Sequence, residues 1–383
     1  MRPIYLDYNA TTPVDPRVVD AMLPHFTTSY GNAASIDHLY GHEAQQAVES
    51  ARDQVAALIG ATPEEITFTS GATEADNIAI LGTLARADDE AELIVSAIEH
   101  PAVLEPAARI GERLQVVPVS ADGIVDPTEI KRRLTKKTAL VSVMAANNET
   151  GAIQPIVEIG RICAEAEIPL HCDAVQAVGR INIDVDDAQV ALLSLSAHKI
   201  HGPKGVGALY VRRRGWRMKV APLHYGGGHE RNLRPGTLNV PGIVGFGVAS
   251  QLARQVRRRE AARERRLKEQ LISALTSIGE VELNTPVDSS LPQTVSARIA
   301  GVGARALMHA TRAELAFSSG SACTTTKVEP SHVLLAQGIS ARAASESVRL
   351  SFGRFTTEQE ISHAADVLAP TVRYLRGVAA QVA

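Results

Sequence analysis

From residue 42, the stretch HEAQQAVESARDQVAALIG sets Ala44, Ala47, Val48, Ala51, Val55 and Leu58 three or four residues apart and ends at Gly60. That spacing lays the apolar residues along one helix face, and a glycine just beyond them suits a C-terminal cap. The next stretch, ITFTSGATEADNIAILGTLA, predicts a short strand, a glycine-containing turn, and a helix opening at Thr73. Glu74 and Asp76 then fall in the first turn, where the helix dipole favours carboxylates.

Short apolar runs recur after this unit with helical patterns between them: ELIVSAI, LQVVPV, ALVSVMA, IPLHCDAV, VALLSLSA and VGALYV. Runs of five or six apolar residues suit strands buried on both faces, and interleaved helices point to a largely parallel α/β sheet. Beyond about residue 250 the pattern changes to QLARQVRRREAARERRLKEQLISAL, a long charged helix, followed by shorter strand and helix signals. We therefore expect a large domain over residues 16–253 and a smaller one over 254–383, with residues 1–15 packing on the smaller one. The arginines of the long helix could dock an acidic partner, but a solvated face laced with Glu260, Glu264 and Glu269 is the simpler expectation.

Composition narrows the function classes. The 383 residues are 45% hydrophobic and 21% charged with a net charge of −3, so nothing global calls for nucleic acid or an anionic membrane as partner. Three cysteines cannot form an even disulfide framework, and MRPIYLDYNATTP lacks the charged and apolar regions of an export signal. No apolar run nears the ~20 residues of a membrane helix. The expectation is a soluble cytoplasmic protein.

Three segments carry candidate chemistry. In LLSLSAHKIHGPKGVGALYV an apolar strand runs into Ser196, His198 and Lys199 and then a glycine-rich turn. A lysine at the end of a buried strand is desolvated, which lowers its pKa and makes it a better Schiff-base nucleophile; a lysine in a surface loop is the other reading of this stretch alone. In PLHCDAVQAVG, Asp173 stands near the end of another apolar strand with Gln176 three residues on. Ligands of open α/β sheets bind beyond the carboxyl ends of the strands, where both segments place their polar residues. A lysine and a carboxylate there match the aldehyde and the pyridinium of pyridoxal phosphate. In TSGATEADN, Gly71, Ala72 and Thr73 lie at a helix N-terminus suited to a phosphate, though such a turn is also an ordinary cap.

In order, IYLDYNATTPVDPRV, SGATEADN, EHPAVLEP, NNETGAIQPI, HCDAVQAVGRI, SAHKIHGPKGVGALYVR, RPGTLNVPGIVGFG, SSGSACTTTKVEPSHVL and SVRLSFGR resemble the class V aminotransferase family over almost the whole chain. Within it they resemble the cysteine desulfurases that feed iron–sulfur and other sulfur pathways. The resemblance implies a fold-type I pyridoxal-phosphate enzyme, with a mainly parallel large domain and a smaller α+β C-terminal domain. It implies that Lys199 binds the cofactor aldehyde, Asp173 pairs with the pyridinium, and His100 stacks on the ring as a catalytic residue. Gln176 and Asn148 would hold the phenolic-oxygen side, while Ala72, Thr73, Ser196 and His198 line the phosphate. Arg349 would clamp the substrate carboxylate, a task suited to a planar guanidinium. Thr237 would reach the phosphate of the other subunit of a homodimer; Pro235, where the family usually has a small residue, is a departure that fixes the backbone ahead of it.

Cys323 sits in SSGSACTTTKVEPSHVL among small and hydroxylic residues, expected to form a mobile loop. The resemblance assigns it the sulfur: L-cysteine becomes L-alanine and a Cys323 persulfide passes to an acceptor protein. Incidental buried thiols describe Cys163 and Cys172 better. The motif resembles the subgroup that delivers sulfur to scaffolds, for iron–sulfur assembly, tRNA thiolation or DNA phosphorothioation, yet the chain ends after RYLRGVAAQVA without the longer docking tail of housekeeping members. Selenocysteine lyase, another carbon–sulfur lyase, an aminotransferase and a sulfur-relay protein without turnover are the alternatives. A nucleophilic thiol is what simple transamination does not need.

Overall fold

The structure is a computed structural model, and it describes residues 2–319 and 330–382. The patterned helix runs Leu39–Ile59 and buries Ala44, Val48, Ala51, Val55 and Leu58. It begins ahead of the apolar pattern because the His38 ring caps it, accepting from the Gly41 N–H. It stops at Gly60, whose φ of 73° is left-handed and whose missing side chain leaves room for the Asp184 carboxylate.

The strands are β1 (Ile4–Tyr5), β2 (Ile66–Thr69), β3 (Glu92–Ser96), β4 (Leu114–Val117), β5 (Thr138–Ser142), β6 (Leu170–Asp173), β7 (Leu192–Ser196), β8 (Gly207–Val211), β9 (Val281–Leu283), β10 (Thr294–Ile299), β11 (Leu315–Ala316), β12 (Ser318–Ser319) and β13 (Ser347–Ser351). Seven of them form one sheet in the order β2-β8-β7-β6-β5-β3-β4. Neighbours from β7 to β4 are parallel, and β8 runs antiparallel to both its neighbours. The apolar runs are continuous because the sheet is covered on both sides: Ile94, Val141 and Leu193 enter one core, while Leu93, Leu140 and Leu192 enter another.

A second sheet, β12-β13-β10-β9, is antiparallel and encloses a separate core with Leu267, Leu271, Val295, Leu350 and Leu368. The first residues belong with it, since β1 pairs in parallel with β11 and Leu6 lies in that core. One helix, Val240–Thr276, serves both units without a break, giving Phe246 and Ala253 to the first core and Leu267, Leu271 and Leu275 to the second.

This shared helix does carry a solvated charged face, with Arg254, Arg258, Arg259, Arg265, Arg266 and Glu269 exposed, but it corrects the place of two of the expected acids. Glu260 and Glu264 lie on its buried stripe with Ala253, Leu267 and Leu271. Glu260 pairs with Arg354 at 2.5 Å and Glu264 with Arg180 at 2.6 Å, so neither neutralises the arginines along the helix surface. The seven-residue step from 253 to 260 and the four-residue step to 264 follow the helical repeat of the apolar stripe, which alternation of charge along the sequence concealed. Among the described residues, no helix is long and apolar enough to cross a membrane.

Candidate active site

The carboxyl ends of the parallel strands converge on a cavity of about 610 Å³. β6 ends at Asp173 and pairs with β7 in a register that sets Asp173 opposite Ser194. A single helical turn after β7 then presents His198 and Lys199. Ala72, Thr73, His100, Asn148, Asp173, Gln176, Ser196, His198, Lys199 and Arg349 all line this one cavity.

Lys199 Nζ donates to the carbonyl oxygens of Asn9 at 2.5 Å and Ala10 at 2.9 Å. Its side chain reaches the cavity half-buried, so the surface-loop reading falls away. Gln176 donates to the same Asn9 oxygen at 3.0 Å, which ties the β6 and β7 exits to the N-terminal segment. Asp173 is buried, and burial pushes its pKa up against the hydrogen bond from the Val175 N–H and the pull of His100 and Lys199. A cationic group opposite would relieve that penalty.

His100 caps the helix Pro101–Ala108, its Nδ1 accepting from the Ala102 N–H at 3.1 Å. That bond leaves the ring proton on Nε2, and burial lowers the pKa, so the ring is neutral. His198 accepts or donates at Thr11 Oγ1 over 3.1 Å, and burial lowers its pKa to about 4.

The helix Ala72–Leu84 opens into the cavity with no side chain capping its first N–H groups, one residue earlier than the sequence predicts. Gly207 brings β8 against this turn: a Cβ there would meet Gly71 backbone at 2.8 Å and the Leu195 oxygen at 2.5 Å. The free N–H groups and the dipole make a seat for an anion.

Arg349 is buried on β13, donating from Nη1 to the Asn148 oxygen at 2.9 Å and from Nη2 to Asp7 at 2.7 Å. Its Nε is buried with no hydrogen-bond partner among the described residues. β12 runs antiparallel to β13 with Ser318 opposite Arg349, and Ser318 also lines the cavity. Thr237 is exposed and lies outside the cavity, although its segment is tied to the Ala72–Leu84 helix by the Arg234–Glu74 ion pair at 2.9 Å. Cys323 falls outside the described residues. Cys163 and Cys172 are buried in the first core, with thiol pKa values raised by burial, to about 12 for Cys163.

Several polar residues of this site gave no local signal in the sequence. Asp7 and Asn9 sit in a quoted motif but meet partners far along the chain, Arg349 being 342 residues from Asp7. Asp76 is buried in the helix behind Asp173, 3.5 Å from His171 Nε2, and the charge of Asp173 adds to burial in raising its pKa well above the usual range. Glu99 is likewise pushed up to about 8 by burial, beneath His100. The sequence expectation counted Asp76 only as a first-turn carboxylate.

The family model of aminotransferase class V matches residues 4–363. The chain belongs to the class V aminotransferase family. Among its relatives in the family, the cysteine desulfurase IscS of Anaeromyxobacter dehalogenans (strain 2CP-C) is 49% identical over 379 residues, covering 98% of this chain and 93% of that one. A solved NifS-like protein superposes with a TM-score of 0.90 at 36% identity, covering 98% of this chain and all of that one (100%). A solved complex of SspA with cysteine matches with a TM-score of 0.80 at 34% identity, covering 92% of this chain and 99% of that one. The class V fold is thus an α/β, fold-type I arrangement here, with the cavity at the carboxyl edge of its parallel sheet.

Proposed function

We propose that this class V aminotransferase is a pyridoxal-phosphate-dependent cysteine desulfurase, which converts L-cysteine to L-alanine and leaves the sulfur on Cys323 as a persulfide. The observation that carries the reading is the placement of Lys199, Asp173 and Arg349 in one cavity, with the strand leading toward Cys323 opposite Arg349. The relatives named as cysteine desulfurases and the neighbour solved with cysteine support the choice of substrate.

The cavity fits pyridoxal phosphate by its donor set: an amine at Lys199, a buried carboxylate at Asp173 whose raised pKa calls for a cation, and an uncapped helix N-terminus at Ala72 and Thr73. Ser196 and His198 would complete the phosphate side, Gln176 and Asn148 the opposite edge, and the neutral His100 ring would lie over the cofactor. When bound, the cofactor supplies an aldehyde for the substrate amine and an electron sink for the Cα carbanion.

The chain's own residues supply the rest. Arg349 holds the substrate carboxylate with the free Nε and a guanidinium already oriented by Asp7 and Asn148. Lys199 Nζ takes the Cα proton once it leaves the carbonyls of Asn9 and Ala10. The Cys323 thiolate attacks the substrate sulfur; the carbon–sulfur bond breaks, its electron pair stays with the carbon skeleton, and protonation gives alanine. The persulfide then passes to an acceptor protein. The enzyme acts in the cytoplasm as a homodimer, in which the exposed Thr237 completes the partner's phosphate site. Mixing a Lys199→Ala chain with a Thr237→Ala chain, each impaired alone, then restores one intact site; absence of recovery would count against shared sites. The activity itself is tested by visible absorbance of the purified protein, which cysteine should bleach while alanine accumulates. A protein that bound the cofactor but released no alanine from cysteine would contradict the reading.

A further inference from the structure

The burial of Glu260 and Glu264 leaves the outer face of the long helix short of negative charge. That face forms one wall of a cavity of about 500 Å³, closed by the Arg180–Asn182 segment and by Val287–Pro292. It shares no lining residue with the cavity of Lys199. Arg257, Arg258, Arg265 and Lys268 face it, and Asp288 is the one carboxylate among the described residues that line it. Arg180 lines it too, but its charge is matched by Glu264 at 2.6 Å.

The four cations have no carboxylate partner within ion-pair range among the described residues. Lys268 is 2% exposed and, among the described residues, donates to neutral acceptors, Ser290 Oγ at 2.7 Å and the Leu291 oxygen at 3.0 Å. Arg257 likewise donates to the neutral Asn182 Oδ1 at 2.6 Å. Burial and the neighbouring Arg265 push the Lys268 pKa down to about 8, while burial with Arg258 and Arg254 lowers that of Arg257. Among the described residues Asp288 offsets only part of this, pulling on Lys268 against burial and Arg265 without an ion pair to any of the four cations. A buried ammonium without an ion-pair partner is costly, and a multiply charged anion offsets several such terms at once.

We propose that this cavity binds a phosphate or diphosphate group, held between Arg258 and Arg265 at its rim and Lys268 at its floor. The recess favours a small anion over a protein surface, because a group must enter the cavity to approach a lysine buried to this degree. Guanidinium groups at the rim offer the planar paired donors that phosphate oxygens accept. An anion there would link the helix to both the Arg180–Asn182 and Val287–Pro292 segments.

The test is calorimetric titration of pyrophosphate into the protein loaded with pyridoxal phosphate, so that the cofactor's own phosphate seat is filled, against chloride at equal ionic strength. The wild type should bind saturably, and the Arg258→Ala/Arg265→Ala double variant, altered only at exposed side chains, at least tenfold more weakly. An Arg213→Ala/Arg217→Ala variant, which changes basic residues elsewhere, should bind as the wild type does. Equal binding by the Arg258→Ala/Arg265→Ala protein, or no saturable heat beyond that of chloride, would overturn the assignment. So would binding of an oligo-aspartate peptide in place of pyrophosphate, since the cations would then serve an acidic protein surface.

Discussion

Ser318 stands opposite Arg349 across the β12–β13 pairing, so the strand that precedes the Cys323 segment in sequence lies along the wall that holds the guanidinium. Past the cysteine segment, Ser331 is hydrogen-bonded to Glu149, the neighbour of Asn148 whose carbonyl Arg349 also holds. Both flanks of the segment are thereby tied to the Arg349 side of the cavity.

Replacing Arg349 with lysine keeps the charge but loses the planar fork shared between Asp7 and Asn148. A charge-assisted hydrogen bond is worth about 1.5–3 kcal/mol, so kcat/KM for cysteine should fall by about 10- to 150-fold, chiefly through KM. Steady-state alanine assays check this; an unchanged KM would remove Arg349 from substrate binding.

Lys199→Ala should lower alanine formation by at least about 10²–10⁴-fold, the range general-base groups supply. The fold should persist, because Lys199 lines the cavity, where it bonds the Asn9 and Ala10 carbonyls, and belongs to none of the hydrophobic cores. Circular dichroism and alanine assays together decide it. Normal turnover by a folded variant would refute the role.

Much of this was legible in the sequence. The apolar runs marked the central strands because both sheet faces are buried, and the polar residues at their carboxyl ends, Asp173 and Lys199, marked the cavity. What stayed hidden depended on distance and direction. Asp7 and Arg349 meet only after β1 joins β11 and β13 enters the second sheet, and no local pattern encodes that. The orientation of Glu264 required knowing that one helix spans two cores, and Asp76 looked like an ordinary helix-start acid until Asp173 was placed over it.

Glu99 gives a pH prediction. Burial raises its pKa from 4.5 to about 8, so the folded state holds a proton there that the unfolded state releases above pH 4.5. Its contribution is fully present below pH 4.5 and is lost as pH rises through 8. His171, His198 and His201 have lowered values, and their effects lie below pH 6.5, where stability falls as pH falls. Between pH 6.5 and 8, wild-type stability should therefore decline with rising pH, and Glu99→Gln should flatten the decline by up to about 1.4 kcal/mol per pH unit. Urea unfolding at the two pH values measures it; identical slopes would mean that Glu99 is ionised in the folded protein.

Cys163 and Cys172 are buried and poor thiolates. In the native protein, alkylation by iodoacetamide should modify Cys323 first, and Cys323→Ser should abolish fast labelling while Cys163→Ser and Cys172→Ser leave it intact. Rapid labelling of the Cys323→Ser protein would show that a second thiol is reachable.

The central claim is transfer of cysteine sulfur to one thiol, and peptide mass spectrometry after a single turnover with isotopically labelled L-cysteine tests it most directly. The peptide containing Cys323 should carry one labelled sulfur atom, in step with one released alanine, and Cys323→Ser should carry none. Label on the Cys163 or Cys172 peptide, or alanine released with no label on Cys323, would contradict it.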